Sequence, residues 1–339
     1  AESCAALVLS RYAALVEARV PEGPKERTVN VDLTVDGRVL LANCLQYCVE
    51  FCAKTPGDQQ RADLWLNDPV QFCAAIVDRG FHDPSSMSDE PAEAWFATLR
   101  TILSGCRCQS EAHIEGLIGL FEGRLQTVKK SAAGLSVHRQ DMIRTWLVVL
   151  MAVLSRDLGP EDARRGKILT VLEGSLATPS EAVQMAIADG MVPLIGRDCG
   201  ELKARLLMAI TDGKTMAERR GGAFGMAAMV RARGLGMVVA GDDALLPALL
   251  IPTLQDTKAP VEARQGCLFL VEVLARALGS LFEPLLLPLL PALMSCWADG
   301  RNEVREACMD AAEAMLASGL ATVHGVKIIL PVLFDPLPL

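Results

Sequence analysis

Three cysteines recur at a spacing that could bind a metal. Cys44, Cys48 and Cys52 are four residues apart, which places their thiols on one face of a helix. Thiolates so spaced could give zinc two ligands, but no His or carboxylate pair at ligand spacing completes a closed site. Cys106 and Cys108 are closer together than a zinc knuckle requires. Cysteine packs well as a small apolar side chain, so we expect core thiols and no bound metal.

Two glycine motifs resemble parts of nucleotide-binding loops. The tripeptide GKT at residues 213–215 ends like a phosphate-binding loop, but Met208 stands where that loop needs its first glycine. GLG at residues 234–236 lacks the third glycine and the strand of a dinucleotide fingerprint. Four histidines stand outside any signature that pairs them with a nucleophilic Ser or Cys: His82, His113, His138 and His324. We therefore expect no cofactor, no catalytic residue and no enzymatic activity.

Among the polar residues, the arginines give the clearest indication of a partner-binding surface. Arg231 and Arg233 end one helical pattern, and Arg164 and Arg165 belong to a second basic concentration. In a repeat array, residues at equivalent positions line one edge, so clustered cations can bind RNA phosphates with steep salt dependence. These four arginines are our predicted partner contacts.

The chain contains internal repeats. Residues 246–278 and 287–318 each give an apolar helix, an Asp, a short polar turn and a second helix that starts near an Arg. The same frame fits segments that begin at Leu202 and Leu172. The second-helix anchors are 40, 36, 44 and 41 residues apart: Arg144, Gln184, Arg220, Arg264 and Arg305. This spacing predicts an all-α fold, a HEAT/armadillo-like α-solenoid of antiparallel helix pairs.

An Asp precedes three of these anchors by six to eight residues. The pairs are Asp212 with Arg220, Asp256 with Arg264, and Asp299 with Arg305. We interpret them as an Asp–Arg ladder between adjacent repeats, in which each exposed pair contributes only ~0–1 kcal/mol. The alternative is that these arginines contact a partner or are merely solvated.

Periodicity divides the chain into two parts. Before residue 110 the apolar pattern is weaker, residues 55–63 and 82–90 are polar, and residues 20–38 alternate like a strand. We predict divergent helical repeats with loop insertions in residues 1–110 and regular HEAT repeats in residues 111–339. The chain opens without Met inside an amphipathic pattern, as a piece of a longer protein would.

Composition limits the class of protein. The 339 residues are 51% hydrophobic, which excludes a disordered tail, and only 4% aromatic. A net charge of −8 excludes a uniformly basic nucleic-acid clamp. Eleven scattered cysteines without a glycosylation sequon or secretory leader indicate reduced thiols and a cytoplasmic protein. No run approaches the ~20 apolar residues of a membrane helix, so we expect no membrane partner.

Four segments together resemble one family. They are LATPSEAVQMAIADGMVPLIG at residues 176–196, AERRGGAFGMAAMVRARGLG at 217–236, residues 278–315, and HGVKIILPVL at 324–333. These segments resemble, in order, the start of the elongation-factor-three-like region of the GCN-one family. That family consists of giant HEAT-repeat translational activators of the amino-acid starvation kinase.

The resemblance implies a non-enzymatic scaffold. It would sit on the ribosome, cooperate with an ATP-binding-cassette co-activator, and support the starvation-responsive kinase that acts on initiation factor two alpha. Kinase contact would occur through a domain outside this chain. An importin-like or adaptor HEAT protein that holds protein cargo is the alternative, because the fold alone cannot distinguish the two.

Overall fold

The computed structural model describes residues 111–130, 137–197, 199–241 and 243–317, with a few single positions between 70 and 103. Every regular element in these ranges is helical, which confirms the predicted all-α fold. The predictions for the cysteines before residue 53, the strand-like segment at 20–38 and HGVKIILPVL lie outside the described residues. The chain forms two compact units, Ala1–Ile168 and Leu169–Leu339.

The first unit contains a helix pair. Helices α1 (Glu111–Lys130) and α2 (Val137–Leu154) pack against each other, and a 3₁₀ turn (Ser155–Asp157) follows. Helix α1 buries apolar residues at three- and four-residue spacing, which gives it a continuous apolar stripe: Ile114, Leu117, Ile118, Phe121, Leu125 and Val128. Helix α3 spans Ala163–Glu173.

The second unit continues with further helices in the same alternating order. They are α4 (Glu181–Met191), α5 (Gly200–Asp212), α6 (Met216–Arg233), α7 (Gly236–Val239), α8 (Ile251–Gln255), α9 (Val261–Leu278), α10 (Glu283–Trp297) and α11 (Asn302–Met315). A π-helical turn (Leu246–Leu250) leads into α8, and a 3₁₀ turn (Gly279–Phe282) leads into α10.

Helix pairs stack in this unit as the repeat pattern predicts. The pairs α5/α6, α8/α9 and α10/α11 each pack internally. The second helices of successive pairs also pack in sequence, α4 on α6, α6 on α9 and α9 on α11. Each pair therefore covers the apolar face that its neighbour cannot cover alone, which is the stabilising principle of a HEAT array.

Glycines let the second helices lie close to the first. A Cβ atom at Gly266 would overlap the carbonyl oxygen of Ile210, and one at Gly221 would overlap that of Leu176. At Gly225 it would lie 2.5 Å from a methyl group of Leu206. A side chain is excluded at Gly221 and Gly266, where the close atom belongs to the backbone, whereas at Gly225 the Leu206 side chain would have to shift.

One apolar helical stretch, Val261–Trp297, is long enough by length and composition to cross a membrane. It is two helices, because Gly279 at φ +54° begins a 3₁₀ turn that separates α9 from α10. Helix α9 carries Arg264 and Glu272, and α10 has 15 residues, fewer than the ~20 of a membrane span.

Candidate functional site: an inner ladder and an exposed arginine edge

Four polar side chains occupy the fourth position of the second helices. They are Gln184 in α4, Arg219 in α6, Arg264 in α9 and Arg305 in α11. The first three are buried. We call this set the inner ladder. It corrects the predicted register by one residue, because Arg219, and not Arg220, is the equivalent of Arg264.

Helix capping sets this register. Thr215 is the N-cap of α6, and its hydroxyl accepts the backbone N–H of Glu218 at 3.2 Å. The Glu218 carboxylate accepts the Thr215 N–H in return, which completes a capping box. The helix therefore starts at Met216, and Arg219 is its first inward-facing long side chain.

Inner-ladder side chains stabilise the turn of their own helix pair. Three of them donate to the carbonyl oxygen six residues upstream: Gln184 to Thr178 at 2.8 Å, Arg219 to Gly213 at 2.7 Å and Arg305 to Asp299 at 2.6 Å. Buried carbonyl groups at these turns would otherwise lack a partner, which is costly in a desolvated site.

The same side chains connect neighbouring pairs. Gln184 donates to the Ala217 carbonyl at 2.8 Å, Arg219 donates to the Gln265 side chain at 2.6 Å, and Arg264 pairs with Asp299. Polar bonds therefore run from α4 through α6 and α9 to the turn before α11. The inner ladder holds the array together and is not available to a partner.

None of the three predicted Asp–Arg side-chain pairs forms among the described residues, and a different pair joins two repeats. Arg264 binds Asp299 of the next pair, and their side chains are only 5% and 7% exposed. The pair is therefore buried, and the low energy expected of an exposed pair does not apply to it. Removal of either partner would leave an uncompensated charge in the core.

The other predicted ladder residues have different partners. Asp212 accepts the Thr211 hydroxyl at 2.6 Å, and Asp256 accepts the Lys258 backbone N–H at 2.9 Å. Both close turns. Arg220 bonds the Gln184 side chain at 2.9 Å instead of an aspartate of its own pair.

Arg164 and Arg165 support the turn before α3. Arg164 forms a two-pronged pair with Asp162, with Nε–Oδ1 at 2.9 Å and Nη2–Oδ2 at 2.6 Å. Hydrogen bonds from Arg164 lower the pKa of Asp162 to about 2. Arg165 donates to the carbonyls of Ser155 at 3.2 Å and Leu158 at 3.3 Å. Both arginines thus already have partners within the protein.

Arg231 and Arg233 lie at the end of α6. Arg231 pairs with Asp189 of α4, and the two side chains remain 39% and 57% exposed. Arg233 is exposed and has no hydrogen bond or ion pair among the described residues. Arg197, between α4 and α5, is likewise exposed, and its side chain has no bonded partner in the described part of the chain.

We call Arg197, Arg231 and Arg233 the arginine edge. All three follow or end a second helix, so they occupy the side of the array where one pair leads into the next. Sequence analysis missed Arg197. Its position, shortly after α4, matches that of Arg233 at the end of α6, and this repeat equivalence was the available signal.

Among the described residues, candidate metal ligands do not cluster, and all free cysteines except the half-buried Cys199 are buried. No group of three or more His, Cys, Asp or Glu among the described residues could hold a metal ion. Burial raises the pKa of the Cys267 thiol to about 12 and that of Cys308 to about 12. A thiol so buried is protonated and unreactive, and acts as an apolar core residue.

Comparison with known proteins finds one matching family model and several relatives. The model of the EF3 N-terminal HEAT repeat family matches residues 219–338. "Stalled ribosome sensor GCN1" of Homo sapiens is 32% identical over 295 residues, which cover 84% of this chain and 11% of that protein. "eIF-2-alpha kinase activator GCN1" of Dictyostelium discoideum is 31% identical over 271 residues, 77% of this chain and 9% of that protein.

The likeness extends across distant eukaryotes but covers a small part of each relative. "eIF-2-alpha kinase activator GCN1" of Saccharomyces cerevisiae is 30% identical over 223 residues, 64% of this chain and 8% of that protein. No solved structure matches the chain. The chain is therefore a GCN1-like HEAT-repeat segment whose C-terminal part is similar to the N-terminal HEAT repeats of EF3.

Proposed function

We propose that this segment is a non-enzymatic ribosome-bound scaffold of a cytoplasmic translational activator. The observation that carries the proposal is 32% identity over 84% of the chain to a protein named a stalled ribosome sensor. Two further relatives are named activators of the eIF-2-alpha kinase. Within the described residues, stacked helix pairs joined by the inner ladder suit a spacer that holds contact points at fixed distances.

The proposed contact surface is the arginine edge. Arg233 and Arg197 are exposed guanidinium groups without internal partners among the described residues, and Arg231 is tethered only by the half-exposed Asp189. Guanidinium groups bind phosphate oxygens by two parallel hydrogen bonds, so the edge suits the phosphates of ribosomal RNA.

A second contact surface is proposed in the first unit, at Arg164 and Arg165. Phosphate contact at these residues competes with their internal partners, Asp162 and the turn carbonyls. We therefore propose a weaker contribution to binding from this surface than from the arginine edge.

Further partners are proposed from the resemblance. The segment helps position an ATP-binding-cassette co-activator on the ribosome, and the signal reaches the starvation-responsive kinase through a region outside this chain. Neither partner has a docking residue assigned on the described surface.

Burial of the second helices disfavours the adaptor alternative in this part of the chain. A cargo receptor needs a groove along the second helices, but residues 221–230 of α6 and 266–275 of α9 are buried throughout. No long apolar or acidic groove is therefore open along α6 and α9.

Co-sedimentation with purified ribosomes across a salt series tests the proposal. We expect the wild type to pellet at low salt with a steep salt slope, and Arg197→Glu/Arg233→Glu to pellet weakly. The variant's slope should be shallower by roughly one for each phosphate group that it no longer binds. Neither residue has an internal partner among those described, so folding should be preserved.

Lys214→Glu/Lys258→Glu is the matched control. These exposed lysines lie in the turns before α6 and α9, whereas Arg233 lies at the other end of α6. The control has the same change in net charge and should pellet like the wild type. Equal loss of pelleting in both variants, or no pelleting of the wild type at low salt, would contradict the proposed surface.

A further inference from the structure

An ion pair in the second unit skips a whole repeat. Arg276 in α9 donates through Nη1 to Glu181 Oε1 in α4 at 2.5 Å, across 95 residues of sequence. The pair that contains α6 lies between them along the chain, and α6 packs on both α4 and α9. Repeats in a solenoid ordinarily contact only their neighbours, so this contact calls for a physical explanation.

Glycines in α6 provide that explanation. Gly221 and Gly225 bring α6 directly against Leu176 and Leu206, because any Cβ there would overlap these residues. Gly and Ala supply Gly221, Gly222, Ala223, Gly225, Ala227 and Ala228 to the buried part of α6, so much of its surface carries little side-chain volume. The flanking helices α4 and α9 can therefore meet over α6 through two long side chains.

Surrounding groups orient both partners of the pair. Arg276 Nη2 lies 2.8 Å from Glu272 Oε1, one turn earlier on α9. Glu272 is buried, and its carboxylate forms an ion pair with the Arg276 guanidinium group. On the other side, Arg220 Nη1 lies 3.6 Å from Glu181 Oε2. Glu181 is thus bound by two arginines that come from two different repeats.

Arg220 is itself fixed. Its Nη2 donates to the Pro179 carbonyl at 2.6 Å, and its Nε donates to Gln184 of the inner ladder. Because both arginines are held by other groups, little side-chain freedom remains to be lost when Glu181 binds them, and this loss is what makes most exposed pairs weak.

We propose that Glu181 and Arg276 form a clasp that joins three consecutive helix pairs and fixes the angles between them. Breaking the clasp loosens α4 and the end of α9 together, although these helices belong to pairs that are not neighbours. The inference concerns the mechanics of the array and does not depend on ribosome binding.

Hydrogen–deuterium exchange on the full 339-residue chain tests the clasp. Glu181→Gln keeps the side-chain shape and removes the charge. We expect amide exchange to become roughly two- to fivefold faster in the first turn of α4 and also in the last turns of α9, the range that corresponds to an exposed ion pair. Arg276→Gln should give the same pattern.

Arg205→Gln is the matched control. The exposed Arg205 binds the half-buried Glu173 with two bonds at 2.7 and 2.9 Å, and this pair joins neighbouring repeats. Removing this pair should speed exchange only in α3 and α5. The double variant Glu181→Gln/Arg276→Gln should speed exchange by less than the two single effects combined, because both single variants remove the shared Glu181–Arg276 bond. Each single variant also removes one further pair, Glu181 with Arg220 or Arg276 with Glu272. Additive effects, or an effect of Glu181→Gln confined to α4 and α6, would overturn the clasp.

Discussion

The inner ladder and the arginine edge both contain arginine, but in two different environments. Arg264 is 4% exposed and bound to Asp299, whereas Arg233 is exposed and unbonded within the described residues. The difference follows from position along a second helix. Arg264, the fourth residue of α9, points at the next repeat, whereas Arg233, in the last turn of α6, faces solvent.

This comparison shows that charge type alone does not identify a binding residue in a repeat protein. An arginine at a ladder position loses its hydration and gains bonds to turn carbonyls and a neighbouring carboxylate. Its removal therefore lowers the free energy of unfolding. An arginine at the edge keeps most of its hydration, so its removal changes the free energy of unfolding little.

The largest expected effect is loss of the buried pair. We expect Arg264→Leu to lower the free energy of unfolding by ~3–5 kcal/mol, because Asp299 remains as an unpaired buried carboxylate. Urea denaturation measures this change. The double variant Arg264→Leu/Asp299→Asn should recover part of the lost free energy of unfolding. If Arg264→Leu alone were as stable as the wild type, the proposed difference between the inner ladder and the arginine edge would be wrong.

The second largest effect on stability is expected from overpacking beside the inner ladder. Gly266→Ala should destabilise by ~3 kcal/mol, the upper end for an inserted methyl, because the new Cβ overlaps the Ile210 carbonyl oxygen. Gly266→Leu should be at least as severe. The control is Gly119→Ala on the exposed side of α1, where nothing lies within 4 Å and stability should rise by ~0.5–1 kcal/mol. Thermal unfolding of both variants decides the matter.

A smaller effect is expected from Glu272 and depends on pH. Burial raises its pKa above the ordinary 4.5, so the ionised form costs stability at neutral pH. This cost disappears as the pH falls through the raised pKa toward 4.5. Glu272→Gln should therefore be more stable than the wild type near pH 7 and equal to it below about pH 4. A constant difference at all pH values would contradict this.

The smallest effect on stability is expected at the arginine edge. Arg197→Glu/Arg233→Glu should change the free energy of unfolding by less than ~0.5 kcal/mol, because neither side chain has a bond to lose among the described residues. Urea denaturation of this variant and of Arg264→Leu under the same conditions compares their free energies of unfolding directly. A large loss of stability would place these residues with the inner ladder.

Much of the fold could be predicted from the sequence, because repeated apolar stripes and Asp-containing turns are local signals. The register of the inner ladder could not be read from Arg alone, since Arg219 and Arg220 are adjacent and both follow Asp212. The capping box of Thr215 and Glu218 carried the missing information, because it fixes where α6 begins.

Pairing between repeats was beyond sequence analysis. Asp189 meets Arg231 and Glu181 meets Arg276 because of how closely the second helices approach one another. That approach depends on glycine contacts such as Gly221 against Leu176, which only the three-dimensional structure reveals. Sequence analysis therefore gave no sign that Asp189 of another helix pairs with Arg231.

Site-specific photocrosslinking to ribosomes tests the central claim most directly. A photoreactive amino acid at position 233, on the arginine edge, is compared with one at position 258, in the turn before α9. We predict crosslinks to ribosomal RNA or a ribosomal protein from position 233 that fade as salt rises, and few from position 258. Equal crosslinking at both positions, or none at position 233, would contradict the assignment of the arginine edge as the ribosome contact.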